Sequence, residues 1–286
     1  MTGYYLPLHT EGEYQYFTAT EQTISVWSPE LQHGGPPSGL MTRALERLRG
    51  ERGMEQMAFS RITIDILGPI ALGKNRIRTS VVRPGRQIAQ IMAELECLGP
   101  NGEFRTAARA TAWLMTCSDT SDVARYAGVP ALPHPDTLLQ EHGLHSAGKE
   151  LAQWAHIGFV STLDHAVVPQ THTYESGDPT RAWLRPLAPL VDGETTTPLQ
   201  TFMTVIDVAN GLGARLPADS WTFMNTDTTV HFYRPPMGHW VGLSAEVRIG
   251  SAGFGATEAD VDDVHGPVAR VAQTILLQRH RDTPMR

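Results

Sequence analysis

One succession of elements occurs twice along this chain, and an internal repeat restricts the available folds more than any other feature. In the first half "FSRITIDILGPI" alternates Ile62, Ile64 and Ile66 with polar neighbours and then stops at Gly-Pro. "NRIRTSVV", "QIAQIMAELEC" and "EFRTAARATAWLM" follow, parted by the turn-rich "RPGR" and "LGPNGE". In the second half "WTFMNTDTTVHFYRPP" reads as one strand closed by proline, followed by "WVGLSAEVRIG", "GATEADVDD" and "VARVAQTILLQ". Pro69 matches Pro235 at a separation of 166 residues, and Gly102 matches Gly266 at 164.

A helical pattern precedes each strand series. Residues 36–49 carry Leu40, Met41, Ala44, Leu45 and Leu48 on one stripe, with Ser38 as expected N-cap and Gly50 as stop. In the second half Phe202, Val205, Ile206 and Ala209 form the stripe, and Asp207 projects from another face near Met203 and Asn210. "GGPPSGLMTRAL" set against "DVANGLGARL" matches Gly39, Leu40 and Arg43 to Gly211, Leu212 and Arg215, all 172 apart, which pairs Gly35 with Asp207. Each half thus reads as an α+β unit of one long helix and antiparallel strands, and two such units suggest pseudo-twofold pairing. The expected division is an N-terminal domain 1–117, a Pro/Gly/Ser-rich linker 118–150 and a C-terminal domain 151–286.

Composition narrows the function classes. The chain has 286 residues, 41% hydrophobic and 19% charged, which suits a globular protein with a large core. No apolar run approaches the ~18 residues of a membrane span, and the start lacks a secretory pattern, so the expected location is the cytoplasm. A net charge of −7 argues against nucleic acid as a partner. Cys97 and Cys117 have no metal or redox spacing and are expected to be buried free thiols. The twelve histidines show no HxH, HxxxH or HExxH, so no metal is expected. Trp27, Trp221 and Trp240 are expected to fill core or interface space.

"HGGPPSGLMTRALERL", from His33, resembles a phosphate cradle only superficially. No Gly-Lys-Ser/Thr follows, and the GxGxxG spacing is absent. The nearest approach to a nucleophile elbow, "LHSAG", has Leu144 in place of the first glycine. On the last strand Ala269, Val271, Gln273, Ile275 and Leu277 share a face, and Gln273 alone among them is polar. An unpaired buried amide costs roughly 1–3 kcal/mol, so Gln273 needs a partner or a task. Phe223, Asn225 and Asp227 are expected on one face of an unusually polar strand, with Thr226 and Thr228 on the other.

The Gly-Gly before the first helix, "YRPP" followed by "GHW", and the terminal "VAQTIL" resemble the type II acyl-CoA thioesterases over residues 15–280. The resemblance implies a double hotdog, two repeats each of a long central helix wrapped by an antiparallel sheet. It also implies an acyl-CoA substrate, no cofactor, and a homo-oligomer. The family's catalytic aspartate falls on Asp207 and its glutamine on Gln273. Its threonine falls on Asn225, a departure, because an amide cannot switch one proton between donor and acceptor roles as a hydroxyl does.

Thioester hydrolysis needs a water, a proton acceptor and donors for the oxyanion. The expected assignment has Asp207 as base, with Gln273 and Asn225 placing the water. The backbone N–H groups of Gly34 and Gly35 polarise the carbonyl at a helix N-terminus, and pseudo-twofold pairing brings both helix N-termini to one interface. The symmetry-related site is expected to have decayed, since glycine stands where its aspartate would be. The bland readings stay open: Asp207 as cap, Gln273 and Asn225 as structural amides, His33 as substrate contact or cap, and Arg234 paired with a ligand phosphate or with Asp227. Two other functions also stay open, a non-hydrolytic acyl-CoA or lipid-binding protein and an acyl-thioester hydratase or dehydratase. "SGDPTRAW" lacks the Asn-Pro-Leu-His expected of a hydratase loop.

Overall fold

The computed structural model describes residues 1–126, 131–144, 154–169, 178–214, 216–217 and 219–280. Arg215, the boundary at 150–151 and the "LHSAG" stretch beyond Leu144 lie outside the described residues. The four strands expected in the first half are β3 (Met57–Ile66), β4 (Gly73–Arg83), β5 (Ile88–Leu98) and β6 (Phe104–Thr116). A hairpin of β1 (Tyr5–Glu11) and β2 (Tyr14–Ala19) precedes them, turning at Gly12, whose φ of +57° suits glycine.

The second half contributes β7 (Gln140–His142), β8 (Leu163–Ala166), β9 (Thr180–Pro186), β10 (Trp221–Asn225), β11 (Asp227–Phe232), β12 (Val241–Ile249), β13 (Phe254–Asp263) and β14 (Gly266–Arg279). Among the described residues all strands join one antiparallel sheet, in the order β1-β2-β4-β5-β6-β3-β11-β14-β13-β12-β9-β8-β7, with β10 beside β14. The order β2-β4-β5-β6-β3 is mirrored by β9-β12-β13-β14-β11, so the repeat read in sequence is also a repeat of topology. The halves meet where β3 pairs with β11, and Thr63 faces Thr229 with a hydroxyl–hydroxyl bond of 3.2 Å. These positions are 166 residues apart, the separation of Pro69 and Pro235.

Two helical segments fill the space behind the sheet. Helix α1 (Gly35–Glu51) packs on β4, β5 and β6, with its expected apolar stripe buried. Its N-cap is Gly34, and Ser38 lies inside the first turn, donating its hydroxyl to the Gly34 carbonyl. Pro36 and Pro37 fit the first turn because the N–H groups there have no intrahelical acceptor. Gly50 sits within the last turn rather than ending it.

The second segment is not one long helix. It begins at α2 (Pro198–Val205), capped by Thr197 and Gln200 in a reciprocal box, tightens into a 3-10 turn over Ile206–Val208, and ends with α3 (Ala209–Gly213). Asn210, Gly211 and Gly213 are poor helix formers, and Asn210 turns its side-chain oxygen onto the Gly211 N–H.

The helices run antiparallel. Gly34 meets Asp207 and Gly39 meets Thr204 at one end, while Glu46 meets Thr197 and Gln200 at the other. A Cβ on Gly35 or Gly39 would collide with Thr204, so these glycines set how closely the helices pack. The N-terminus of α1 therefore lies against the C-terminal end of α2, not beside its N-terminus. The helix starts, Gly35 and Pro198, are 163 residues apart, so the 172-residue match was out of register, and Gly35 is not the counterpart of Asp207.

Cys97 is buried, its thiol pushed up to about 11 mainly by burial. Cys117, expected to be buried, is exposed, because β6 ends at Thr116 and the chain leaves the sheet there. Trp240 is buried with Trp183 in a smaller cluster, Trp221 is half-buried under Arg279, and Trp27 borders a cavity at the start of α1.

Candidate active site

That cavity, of about 360 Å³, opens where α1 begins. One wall runs from Ser25 to Gly34, a second is the turn from Ile66 to Ile70, and Asp207, Asn210, Met224–Thr226 and Leu276 complete it. Trp27, Leu31, Ile66, Ile70, Met224 and Leu276 make the lining largely apolar. Trp27 is held edge-on against Trp154 and Phe223, at 5.4 and 5.2 Å between ring centroids.

Asp207 is the buried charge of this cavity, 4% exposed. The 3-10 turn brings its carboxylate against Gly34, where an added Cβ would lie 2.7 Å from Oδ2. Position 34 accepts nothing larger than glycine without displacing the carboxylate. The carboxylate thus faces the first turn of α1. Asn225 donates its amide to Oδ1 at 2.6 Å, and His33 Nδ1 lies 3.0 Å from Oδ2. The His33 ring also leans on Phe159, at 4.7 Å between centroids.

The strand carrying Asn225 departs from its expected form. Asn225 pairs with Ile275 but Thr229 pairs with Ala272, so four residues on one strand oppose three on the other. The extra residue is a bulge around Thr226, which separates β10 from β11 and reverses the facing of the β11 side chains. Asp227 turns outward and accepts from the Thr274 N–H, leaving the face it was expected to share with Asn225. Thr228, expected on the opposite face, turns inward. Its hydroxyl receives Asn225 Nδ2 at 3.3 Å and Gln273 Nε2 at 2.9 Å.

Gln273 is 1% exposed, and its Oε1 is buried without a partner among the described residues. Neither Gln273 nor Thr228 lines the cavity, since Asn225 stands in front of them. The arrangement is a chain, Asp207 to Asn225 to Thr228 to Gln273, rather than three side chains around one point. Gly35 is buried beneath the cavity, with its N–H directed at His33 Nδ1 at 3.1 Å, while Gly34 borders the cavity itself. Arg234 is elsewhere. It forms a two-pronged pair with Asp263, with Nη2 at 2.6 Å from Oδ1, and contacts neither the cavity nor Asp227.

The pseudo-symmetric place, where α2 begins, holds a smaller cavity of about 180 Å³. Glu46 of α1 stands in its wall, accepting from Gln200 at 2.6 Å and Thr197 at 2.9 Å. Burial pushes its carboxyl up, against the opposing pull of those two bonds. Trp27 and Gln32 were not singled out for the cavity from sequence, and Thr228, set on the opposite face there, comes inward through the register shift of a bulge that no glycine or proline marks.

The acyl-CoA thioesterase N-terminal domain model matches residues 23–115, and the corresponding C-terminal domain model matches residues 133–277. The chain belongs to the acyl-CoA thioesterase family. Both cavity walls fall within the family's matched segments, His33 and Gly34 in the first, Asp207 and Asn225 in the second. A hot dog fold protein of unknown function from Alicyclobacillus acidocaldarius is similar, with a TM-score of 0.69 and 15% identity over 94% of this chain and 95% of that one. A putative thioesterase II from Thermobifida fusca gives 0.68 and 17% over 96% and 95%. An acyl-CoA thioesterase II from Mycobacterium marinum gives 0.64 and 15% over 96% of each. At these identities the structures bear on the fold alone, which is of the hotdog type. No curated protein matches the chain. Among the described residues no helix is long and apolar enough to cross a membrane, and no three His, Cys, Asp or Glu side chains cluster as a metal site.

Proposed function

We propose that the chain hydrolyses an acyl-CoA thioester to a carboxylic acid and CoA in the cavity at the start of α1. The observation that carries this reading is the buried Asp207 carboxylate at the cavity wall, held by Asn225 and facing the first turn of α1. The apolar lining receives the acyl chain. Asp207 takes a proton from water, and Asn225 fixes the carboxylate and the water beside it. The Gly34 N–H, at the positive end of α1, receives the developing oxyanion. Gln273 acts at one remove, holding Thr228 and through it Asn225.

In this reading each repeat is a hotdog with its own helix, the second broken at Asp207, and the stretch 118–150 links the halves while carrying β7 of the second. The symmetric cavity is smaller and is lined by Glu46. A cytoplasmic homo-oligomer remains part of the proposal.

A thiol-detection assay across acyl chain lengths tests it. Asp207→Asn is expected to lose roughly 10²–10⁴-fold in kcat with its melting temperature kept. A second reading, acyl-CoA binding without turnover, is favoured by one observation: the Asn225 amide fills the space between Asp207 and Thr228, and so screens Gln273 from the cavity. Tight binding with no CoA released establishes that reading instead, and water addition to an enoyl-CoA establishes a hydratase.

A further inference from the structure

We infer that Trp27 is the end wall of the acyl site and restricts the substrate to acyl groups of up to about eight carbons. This rests on the reading above that the cavity takes an acyl-CoA. Three short segments form a ladder at the start of α1. The Ser25 N–H donates to the Leu31 carbonyl at 2.8 Å, the His33 N–H to Thr23 at 2.7 Å, and the Gln32 N–H to Ile70 at 2.8 Å. Residues 31–33 thus run between 23–25 on one side and 70–72 on the other, bridged at Ile24–Gln32 and Leu31–Ala71. Neighbouring strands lie about 4.8 Å apart, so Ser25 and Ile70, which both line the cavity, stand roughly 10 Å from each other.

The two sides differ. On the side of the Ile66–Ile70 turn, Pro69, Thr226 and Leu276 are exposed, and the Ile66 N–H holds the Thr226 carbonyl at 2.9 Å. On the other side Ser25 is buried, and its hydroxyl accepts the Trp27 N–H at 3.2 Å. The Trp27 ring is backed there by Trp154 and Phe223, both buried and neither lining the cavity. CoA therefore extends through the open side, and the acyl chain ends on the indole. Two measures give the length. At about 30 Å³ for each water-sized group, 360 Å³ holds about twelve such groups, and the thioester oxygen, the sulfur and the first two CoA methylenes take about four of them. A zigzag of ~1.5 Å bonds advances about 1.3 Å per carbon, so the 10 Å between the two sides holds about eight carbons as well.

The test is a series of saturated acyl-CoA esters from two to sixteen carbons, read as thiol release and, on the same chains, as affinity by calorimetry. In the parent, kcat/KM is expected to rise about fourfold per methylene up to about eight carbons and to fall by about tenfold or more at twelve. Trp27→Ala frees the space of an indole, and the maximum is expected to move out by roughly four carbons. Trp27→Leu, melted alongside, is the second variant should alanine unfold the chain, and a shift of roughly two carbons is expected of it. A tryptophan that only fills the core lowers activity on all esters alike and leaves their ranking untouched. That result, or a parent profile still rising at sixteen carbons, overturns the end wall and leaves the hydrolytic reading standing. A parent that binds the esters but releases no thiol overturns the hydrolytic reading, and the same ranking read in affinity then decides the end wall.

Discussion

Gly34→Ala adds one methyl group at the most crowded point of the cavity. The backbone there, with φ −65° and ψ −18°, accepts alanine, so the effect is steric. The new Cβ would lie 2.7 and 2.8 Å from the two Asp207 oxygens, against about 3.0–3.4 Å for the tightest real contacts. The carboxylate must therefore retreat by roughly 0.3–0.7 Å. A 1 Å error at a reacting group costs about 10²-fold, so a retreat of this size costs roughly 5–25-fold in kcat, or about 1–2 kcal/mol. Overpacking adds about 1–3 kcal/mol of destabilisation. The assay is CoA release against substrate concentration, with thermal melts on the same samples. Gly50→Ala is the matched control. It has open space around its Cβ position and is expected to be neutral or stabilising by up to about 1 kcal/mol. A folded Gly34→Ala chain with kcat within twofold of the parent would refute the placement of Asp207 as the base.

Thr228→Val keeps shape but strips the hydroxyl that Asn225 and Gln273 share, leaving Gln273 Nε2 without its acceptor; chemical denaturation is expected to show a loss of about 1–3 kcal/mol. Arg234→Ala is expected to destabilise by about 2–3 kcal/mol while leaving KM for acyl-CoA unchanged, because its partner is the buried Asp263 and not the ligand. Burial pushes Asp263 up, but Arg234 and the Met237 and His265 N–H groups outweigh it and hold that carboxyl low. Glu46→Gln is expected to raise the melting temperature near pH 7, with the gap closing near pH 4. The folded carboxyl titrates above its ordinary value, so the native state binds more protons than the unfolded one, and stability falls as pH rises from about 4.5 through the folded value.

The first-half strands and the apolar stripe of α1 were legible because each is a periodic pattern of several residues, and errors at single positions average out. Gln273 was legible for the opposite reason, as one polar residue on an otherwise apolar face. The residues around Asn225 were not. Whether Thr228 or Asp227 faces inward depends on one extra residue in a pairing between strands some 45 residues apart, and "NTDT" contains nothing to announce it. The crossing of the helices was equally hidden. A short sequence match paired Gly35 with Asp207 by alignment, whereas the contact is made because the helices run in opposite directions and Gly34 leaves room for a carboxylate.

The seam between β3 and β11 has a consequence for how the cavity assembles. His33 and Gly34 come from one repeat and Asp207 and Asn225 from the other, so neither repeat holds the cavity alone. Two separate subunits would have to find each other, and dilution would part them. Joined in one chain, the repeats face each other at an effective concentration that no dilution lowers. The Thr63–Thr229 contact on that seam is unequal although its positions correspond: the Thr229 hydroxyl donates and the Thr63 hydroxyl accepts.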